Sequence, residues 1–212
     1  MLCKICKSPT NKTTTLSNGK LFHHCENCFF SFVDDKFLPD ADSEKARYDL
    51  HQNSIEEEGY VQIFQNFIKE CISPFVNQDA QLLDYGCGPD AVLAELIKRD
   101  GFENIETYDP FYDEKKLDKK YDLICSTEVF EHFHQPLIEI EKILELLKHN
   151  GFLAIMTRFN PGIDAFKSWF YKNDFTHVSF YAQESFAYLC QNYKLEQKFS
   201  NKVNTICLQK TD

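Results

Sequence analysis

The stretch Leu82-Leu83-Asp84-Tyr85-Gly86-Cys87-Gly88-Pro89-Asp90 decides the fold. Gln81 to Tyr85 reads as a buried apolar strand. Gly86 and Gly88 then permit a tight turn and close approach of backbone to a ligand. Ala91-Val92-Leu93-Ala94-Glu95-Leu96-Ile97 follows with helical spacing, and Asp90 is expected to cap that helix. A strand, a glycine loop and a helix N-terminus in succession make a nucleotide-binding corner.

Downstream, Asn104 to Tyr108 reads as a second strand that ends at Asp109-Pro110. Asp109 lies 23 residues after Gly86. An acid about 20 residues beyond the glycine loop is where βαβ nucleotide sites hold ribose hydroxyls; an aspartate before proline also suits an ordinary turn. Tyr121 to Ser126 is a third apolar strand. Pro136 opens a helix with Leu137, Ile140, Ile143, Leu144 and Leu147 on one face, and Asn150-Gly151 is expected to stop it. Phe152 to Thr157 is the next strand. A final helix over 182–192 precedes an antiparallel pair, Leu195 to Phe199 and Val203 to Gln209, turned at Asn201-Lys202. The order argues a parallel α/β sheet.

Upstream, Ser43 to His51 is expected to be helical. Ser54 and Glu57 have the spacing of a capping box, ahead of a helix with Tyr60, Ile63, Phe64, Phe67, Ile68, Cys71 and Ile72 on one face and Pro74 at its end. The segment 158–181 is aromatic and turn-rich, and follows a strand C-terminus, where open α/β sheets bind ligands. It reads either as a substrate-side cap, helical around Asp164 to Tyr171, or as core under a long loop.

Cys3-x2-Cys6 and Cys25-x2-Cys28 are separated by 18 residues, with the hairpin pair Asn18-Gly19 between them. Two such pairs are a zinc signal: each wraps a knuckle, and four thiolates close a tetrahedral, structural site. This predicts a zinc ribbon over 1–35 and a second domain over 36–212, joined by an acidic connector that contains Pro39.

The chain has 212 residues, a net charge of −10, and 20 Phe among its aromatics. Residues 1–40 hold five lysines and four acids, so the remainder carries the negative excess. Such a body repels a polyphosphate backbone, which argues against nucleic acid as partner. No apolar run reaches membrane-span length, and Met1 to Cys6 lacks a signal-peptide core. The expectation is a cytoplasmic protein whose nine cysteines are thiols or metal ligands.

Several motifs together carry a family resemblance. Leu83-Asp84-Tyr85-Gly86-Cys87-Gly88 resembles the first motif of class I S-adenosylmethionine-dependent methyltransferases, and Tyr108-Asp109 their acidic second-strand end. The run from Asp122 through Ser126, Thr127 and Glu128 to Glu131-His132-Phe133 is similar to their fourth-strand motif, and Leu146-Leu147-Lys148-x2-Gly151 completes the pattern. The likeness covers about 43–212. Tyr48 to Asn53 with Gly59-Tyr60, and Asp174 to Phe180, look like a bacterial subgroup that often carries an N-terminal zinc ribbon. The family's third glycine is Asp90 here; an aspartate still caps a helix, and its charge would bear on cofactor affinity.

The resemblance implies a Rossmann-like, seven-stranded, mostly parallel sheet with helices on both faces. It implies methyl transfer from S-adenosylmethionine to an O, N or C nucleophile of a small molecule. By the same resemblance, Asp84, Gly86 and Gly88 would flank the amino acid end of the cofactor. Asp109 would accept from the ribose, Pro110 or Phe111 would lie along the adenine, and Ser126, Thr127 and Glu128 would face the methionine portion. The protein would mainly supply orientation and desolvation, because the methyl is already activated. His177, His132 and His51, in that order, are candidates to take the acceptor's proton; each also suits a structural hydrogen bond. Arg158 could hold a substrate anion or form a surface ion pair. An RNA methyltransferase that docks through the ribbon, and a non-catalytic binding protein, remain as alternatives. A nicotinamide dehydrogenase fits least, since its loop requires a glycine where Ala91 stands.

Overall fold

A computed structural model describes residues 1–50, 55–113 and 115–211. It forms a mixed α/β fold around a six-stranded sheet, whose strands lie side by side in the order Ile105–Tyr108, Leu82–Tyr85, Tyr121–Thr127, Leu147–Met156, Thr205–Lys210 and Leu195–Ser200. The strands are β4 (Leu82–Tyr85), β5 (Ile105–Tyr108), β6 (Tyr121–Thr127), β7 (Leu147–Met156), β9 (Leu195–Ser200) and β10 (Thr205–Lys210). The pairs β4–β5, β4–β6 and β6–β7 are parallel; β10 is antiparallel to both β7 and β9.

Side-chain alternation divides the sheet between two layers of helices. Leu83, Ile124, Leu153, Ile155, Ile206 and Leu208 pack with α4 (Pro136–Leu146) and α6 (Gln183–Asn192). Leu82, Leu123, Cys125, Ala154, Met156 and Cys207 pack with α2 (Glu58–Cys71) and α3 (Val92–Arg99).

Among the described residues the sheet has six strands where seven were expected. Between β5 and β6 lie only 12 residues, including Asp113, Lys115, Lys116, Asp118, Lys119 and Lys120. So charged a segment cannot supply another buried strand with its crossover helix. Three local expectations also change. Asp90 does not cap α3: Ala91 holds that position at φ 45°, with no side-chain cap. Asn150-Gly151 does not end a helix. The helix has already ended at Leu146, and Asn150 (φ 59°) and Gly151 form an irregularity inside β7, where a Cβ on Gly151 would meet the Lys148 carbonyl at 2.9 Å. Glu57 is the N-cap of α2 rather than its third residue, and Ser54 lies outside the described residues.

The N-terminal strands β1 (Lys12–Thr15), β2 (Leu21–His24) and β3 (Ser31–Val33) form an antiparallel meander. Its far edge is completed by β8 (Ser179–Phe180), from the aromatic segment, paired with β3. Most of that segment's rings serve as core here. Phe166, on the short helix α5 (Ile163–Phe166), is fully buried and meets Phe22 at 5.2 Å, His24 at 4.8 Å and Phe180 at 5.3 Å between ring centroids. Helix α1 (Ala41–Tyr48) is capped by Asp40, whose carboxylate accepts from the Ser43 amide at 2.8 Å.

Phe166 thus joins the N-terminal sheet to the loop ahead of β8. Phe166→Ala is expected to cost about 3–5 kcal/mol in chemical denaturation, as a buried Phe-to-Ala cavity does. The loss should appear as a shift of one shared transition, followed by both tryptophan fluorescence and circular dichroism.

Candidate active site

The sheet order reverses at β4, which has β5 on one side and β6 on the other. Open α/β sheets bind ligands at the carboxyl ends of the strands flanking such a point. A cavity of about 920 Å³ opens there, lined by the glycine loop, the ends of β5 and β6, and residues of α1, α2 and α4.

The loop is held from below. Gly86 and Cys87 donate their amides to the Tyr108 carbonyl, at 2.7 and 3.2 Å. Gly86 has φ 83°, and a Cβ there would lie 2.3 Å from Val129 Cγ2, so only glycine fits. Gly88 has φ 66° and open space where a Cβ would be, on the cavity side. Asp109 binds the loop to the following turn: Oδ2 accepts from the Gly88 amide and Oδ1 from the Phe111 amide, both at 2.9 Å. Asp109 is 7% exposed and stands behind the wall formed by Tyr108, Pro110, Phe111 and Tyr112. Each of its oxygens keeps a further lone pair.

Asp84 lines the cavity at 1% exposure, and neither carboxylate oxygen has a hydrogen-bond partner. Burial pushes its carboxyl up to about 7, and the Asp109 charge adds to this. The Ala94 amide, outside hydrogen-bonding geometry, pulls the other way. An orphaned buried carboxylate facing a cavity is a strong sign of a missing cationic or donor partner.

Near the end of β6, Ser126 is fully buried and donates to the Tyr85 carbonyl at 3.0 Å, so it braces the strands rather than the cavity wall. Thr127 and Glu128 do line the cavity. Glu128 sits at φ 55°, a strained conformation for a non-glycine residue, tied by its amide to the Met156 carbonyl at 2.8 Å. It is exposed where it lines the cavity.

Glu128 shares Tyr171 with Glu131, a residue the sequence reading quoted without giving it a role. The Tyr171 hydroxyl lies 2.8 Å from Glu128 Oε2 and in hydrogen-bond contact with Glu131 Oε1. Thr157 donates to Glu131 Oε2 at 2.8 Å. Burial raises the pKa of both carboxyls, and for Glu128 the Glu131 charge is the next largest cause.

His132 and His177 stand together at this end, with ring centroids 4.9 Å apart. Burial, then the neighbouring His132, lowers His177 to about 4, so it is neutral near pH 7. His51 lies outside the described residues. Asp174 closes this end: Arg47 of α1 donates to it through Nη2 at 2.8 Å and Nε at 3.1 Å. Burial would raise its carboxyl, but two hydrogen bonds from Thr176, with His177 and Arg47, hold it down to about 2. Arg158 is not on this wall; its guanidinium lies over Phe170 at 5.2 Å, beside a second, smaller cavity.

The four cysteines of the N-terminal lobe gather as a group. Their sulfurs all lie within 4.8 Å of one another, with Cys3–Cys28 at 3.6 Å and Cys6–Cys25 at 3.3 Å. The two knuckles match: Cys3 donates its amide to Ser8 O at 2.8 Å and Cys25 to Phe30 O at 2.9 Å, and the residue after each second cysteine, Lys7 or Phe29, is left-handed at φ 59° or 57°. A tetrahedron with metal–sulfur bonds of about 2.3 Å has edges of about 3.8 Å, so this set is sized to close around one ion.

Comparison with known proteins agrees with this architecture. The profile of a methyltransferase domain matches residues 58–197. No curated protein matches the chain. Among solved structures, a putative sarcosine dimethylglycine methyltransferase from Galdieria sulphuraria is similar, with a TM-score of 0.56, 14% identity, and coverage of 81% of this chain and 99% of that one. The plantazolicin methyltransferase BpumL, in complex with SAH, has a TM-score of 0.54 and 16% identity, over 84% and 93% of the two chains. The N-methyltransferase NodS from Bradyrhizobium japonicum, also with SAH, has 0.52 and 10%, over 80% and 98%. At these identities the structural likeness speaks for the fold, and the profile speaks for the family. With a nucleotide corner at the switch point and a domain profile spanning most of the sheet, the chain belongs to the methyltransferase domain family.

Proposed function

We propose that this protein transfers a methyl group from S-adenosylmethionine to a small-molecule acceptor. The observation that carries the reading is Asp84, a buried carboxylate without a partner, on a cavity of about 920 Å³ beneath the glycine loop. Cavities of this size hold ligands as large as a nucleoside with its side chain. Two similar structures have SAH bound, which supports the same cofactor here.

S-adenosylmethionine supplies a methyl already activated on a sulfonium sulfur. Asp84 holds the cofactor's cationic amino acid end, and Gly86 and Gly88 leave room for it. Asp109 stands behind the cavity wall, where it fixes the glycine loop, and its remaining lone pairs would accept from the ribose. Pro110 and Phe111 cover the adenine, and Thr127 and Glu128 border the methionine portion, with Ser126 behind them. His177 and His132 stand on the acceptor side, and loss of the acceptor's proton depends on them. Glu44, Asp90, Glu139 and Asp174 also line the cavity, where Lys142 is the one lysine and no arginine appears among the described residues. That wall disfavours a polyphosphate acceptor such as RNA. We also assign one structural zinc to Cys3, Cys6, Cys25 and Cys28, where thiolates would neutralise it and pin the two knuckles.

Three measurements test this reading. Asp109→Ala should weaken SAH binding in calorimetry at least tenfold, since it loses charge-assisted hydrogen bonds to both loop and ligand; unchanged affinity would remove the ribose assignment. Asp84 has a folded pKa of about 7, above the ordinary aspartate value near 3.8. Its contribution to stability therefore falls as pH rises from about 4 to 7, and levels off on either side. Asp84→Asn should flatten that slope in urea denaturation, stabilise the ligand-free protein by up to about 4 kcal/mol at pH 8, and abolish cofactor binding. Metal analysis of protein purified without chelators should find one zinc per chain, lost in Cys25→Ser; a metal-free, folded parent would refute the assignment.

A further inference from the structure

Glu131, His132 and His177 each bring one ligand atom within 4.8 Å of the others. Glu131 and His132 come from the turn after β6, and His177 from the loop ahead of β8. The two segments are fastened by the Val178 amide, which donates to the Glu131 carbonyl at 2.8 Å.

The histidine tautomers follow from their partners. His132 Nδ1 lies 3.0 Å from the Thr176 carbonyl, and His177 Nδ1 lies 2.7 Å from the Tyr171 carbonyl. A carbonyl oxygen only accepts, so both Nδ1 atoms carry hydrogen and both Nε2 atoms carry the lone pair. A backbone acceptor on the far nitrogen is the support that fixes ring orientation and tautomer in metal-binding histidines. Glu131 is fully buried and fixed by Thr157. Tyr171 offers one hydroxyl proton to two carboxylates, Glu128 and Glu131. That corner gathers two carboxyls and two imidazoles around one phenol.

We propose that Glu131, His132 and His177 bind a divalent cation of mixed nitrogen and oxygen preference, such as Mn²⁺, with Glu128 beside it and open coordination positions facing the cavity. Two imidazoles and a carboxylate favour such ions and leave positions vacant for other ligands, whereas the four cysteines favour zinc. The site's purpose rests on the methyltransferase reading: a vacant position takes an oxygen of the methyl acceptor. A hydroxyl or phenol held against a divalent cation loses its proton more readily. This selects an oxygen nucleophile and explains how two histidines with committed lone pairs assist the reaction.

The test uses the full chain, passed over a chelating resin with its zinc content measured before and after. Mn²⁺ alone is titrated and followed by electron paramagnetic resonance, with SAH binding measured separately by calorimetry. One Mn²⁺ per chain is expected, and His177→Gln and His132→Gln should each weaken it tenfold or more while SAH still binds. Glu131→Gln, nearly isosteric, gives the same readout where a histidine variant does not fold. The site is wrong if Mn²⁺ fails to bind below about 1 mM, or if all folded variants bind it as tightly as the parent. SAH binding without Mn²⁺ binding overturns the cation site and spares the methyltransferase reading. Mn²⁺ binding without SAH binding does the reverse.

Discussion

Asp109 spends one oxygen on the Gly88 amide and the other on the Phe111 amide, both at 2.9 Å. One carboxylate thereby holds the turn after β4 and the turn after β5 at a fixed separation. Two amides of the glycine loop bind the Tyr108 carbonyl just beside it. Gly86 can then pass against Val129, closer than any Cβ allows. The rest of the cavity takes its shape from this fixed loop. Asp84 is left beneath it, buried and unpartnered, and Pro110 and Phe111 form the facing wall.

The two ends of the cavity solve the problem of buried charge differently. At the loop end a single carboxylate has no donor, and burial makes its ionisation unfavourable. At the far end Glu128 and Glu131 are packed around Tyr171, with Thr157 and two histidines close by. Glu128 accepts a left-handed backbone to reach this group. The strain lies next to the group's acids, which is where backbone strain tends to be retained in functional sites.

Patterns confined to a few residues were readable in the sequence. Leu82 and Leu83 announce a strand buried on both faces, and they do enter opposite helix layers. The cysteine pairs signal a cluster, and the sulfurs do converge. Patterns decided by distant contacts were not readable. Asp90 suits a cap by type, but the loop reaches the helix one residue later, at Ala91. Asn150-Gly151 looks like a stop, yet it lies inside a strand whose register is set by Tyr121 and Leu123. The aromatic run over 158–181 resembles a substrate cap, but the N-terminal sheet claims most of its rings, and only Asp174 and His177 reach the main cavity. Tyr171 could not be assigned from local spacing, because its partners Glu128 and Glu131 are 43 and 40 residues away.

The pairing of β3 with β8 ties the N-terminal knuckles thermodynamically to the segment that follows His177. Ser31 and Phe32 follow the second cysteine knuckle directly, and they pair with Phe180 and Ser179, two to three residues beyond His177. Any ion that binds the cysteines only when the knuckles are folded adds its binding free energy to that sheet. The same free energy then opposes fraying of the segment that carries His177. The order of the four-cysteine cluster and the order of the loop that carries His177 are in this way coupled through one sheet, so that whatever loosens the knuckles loosens that loop as well.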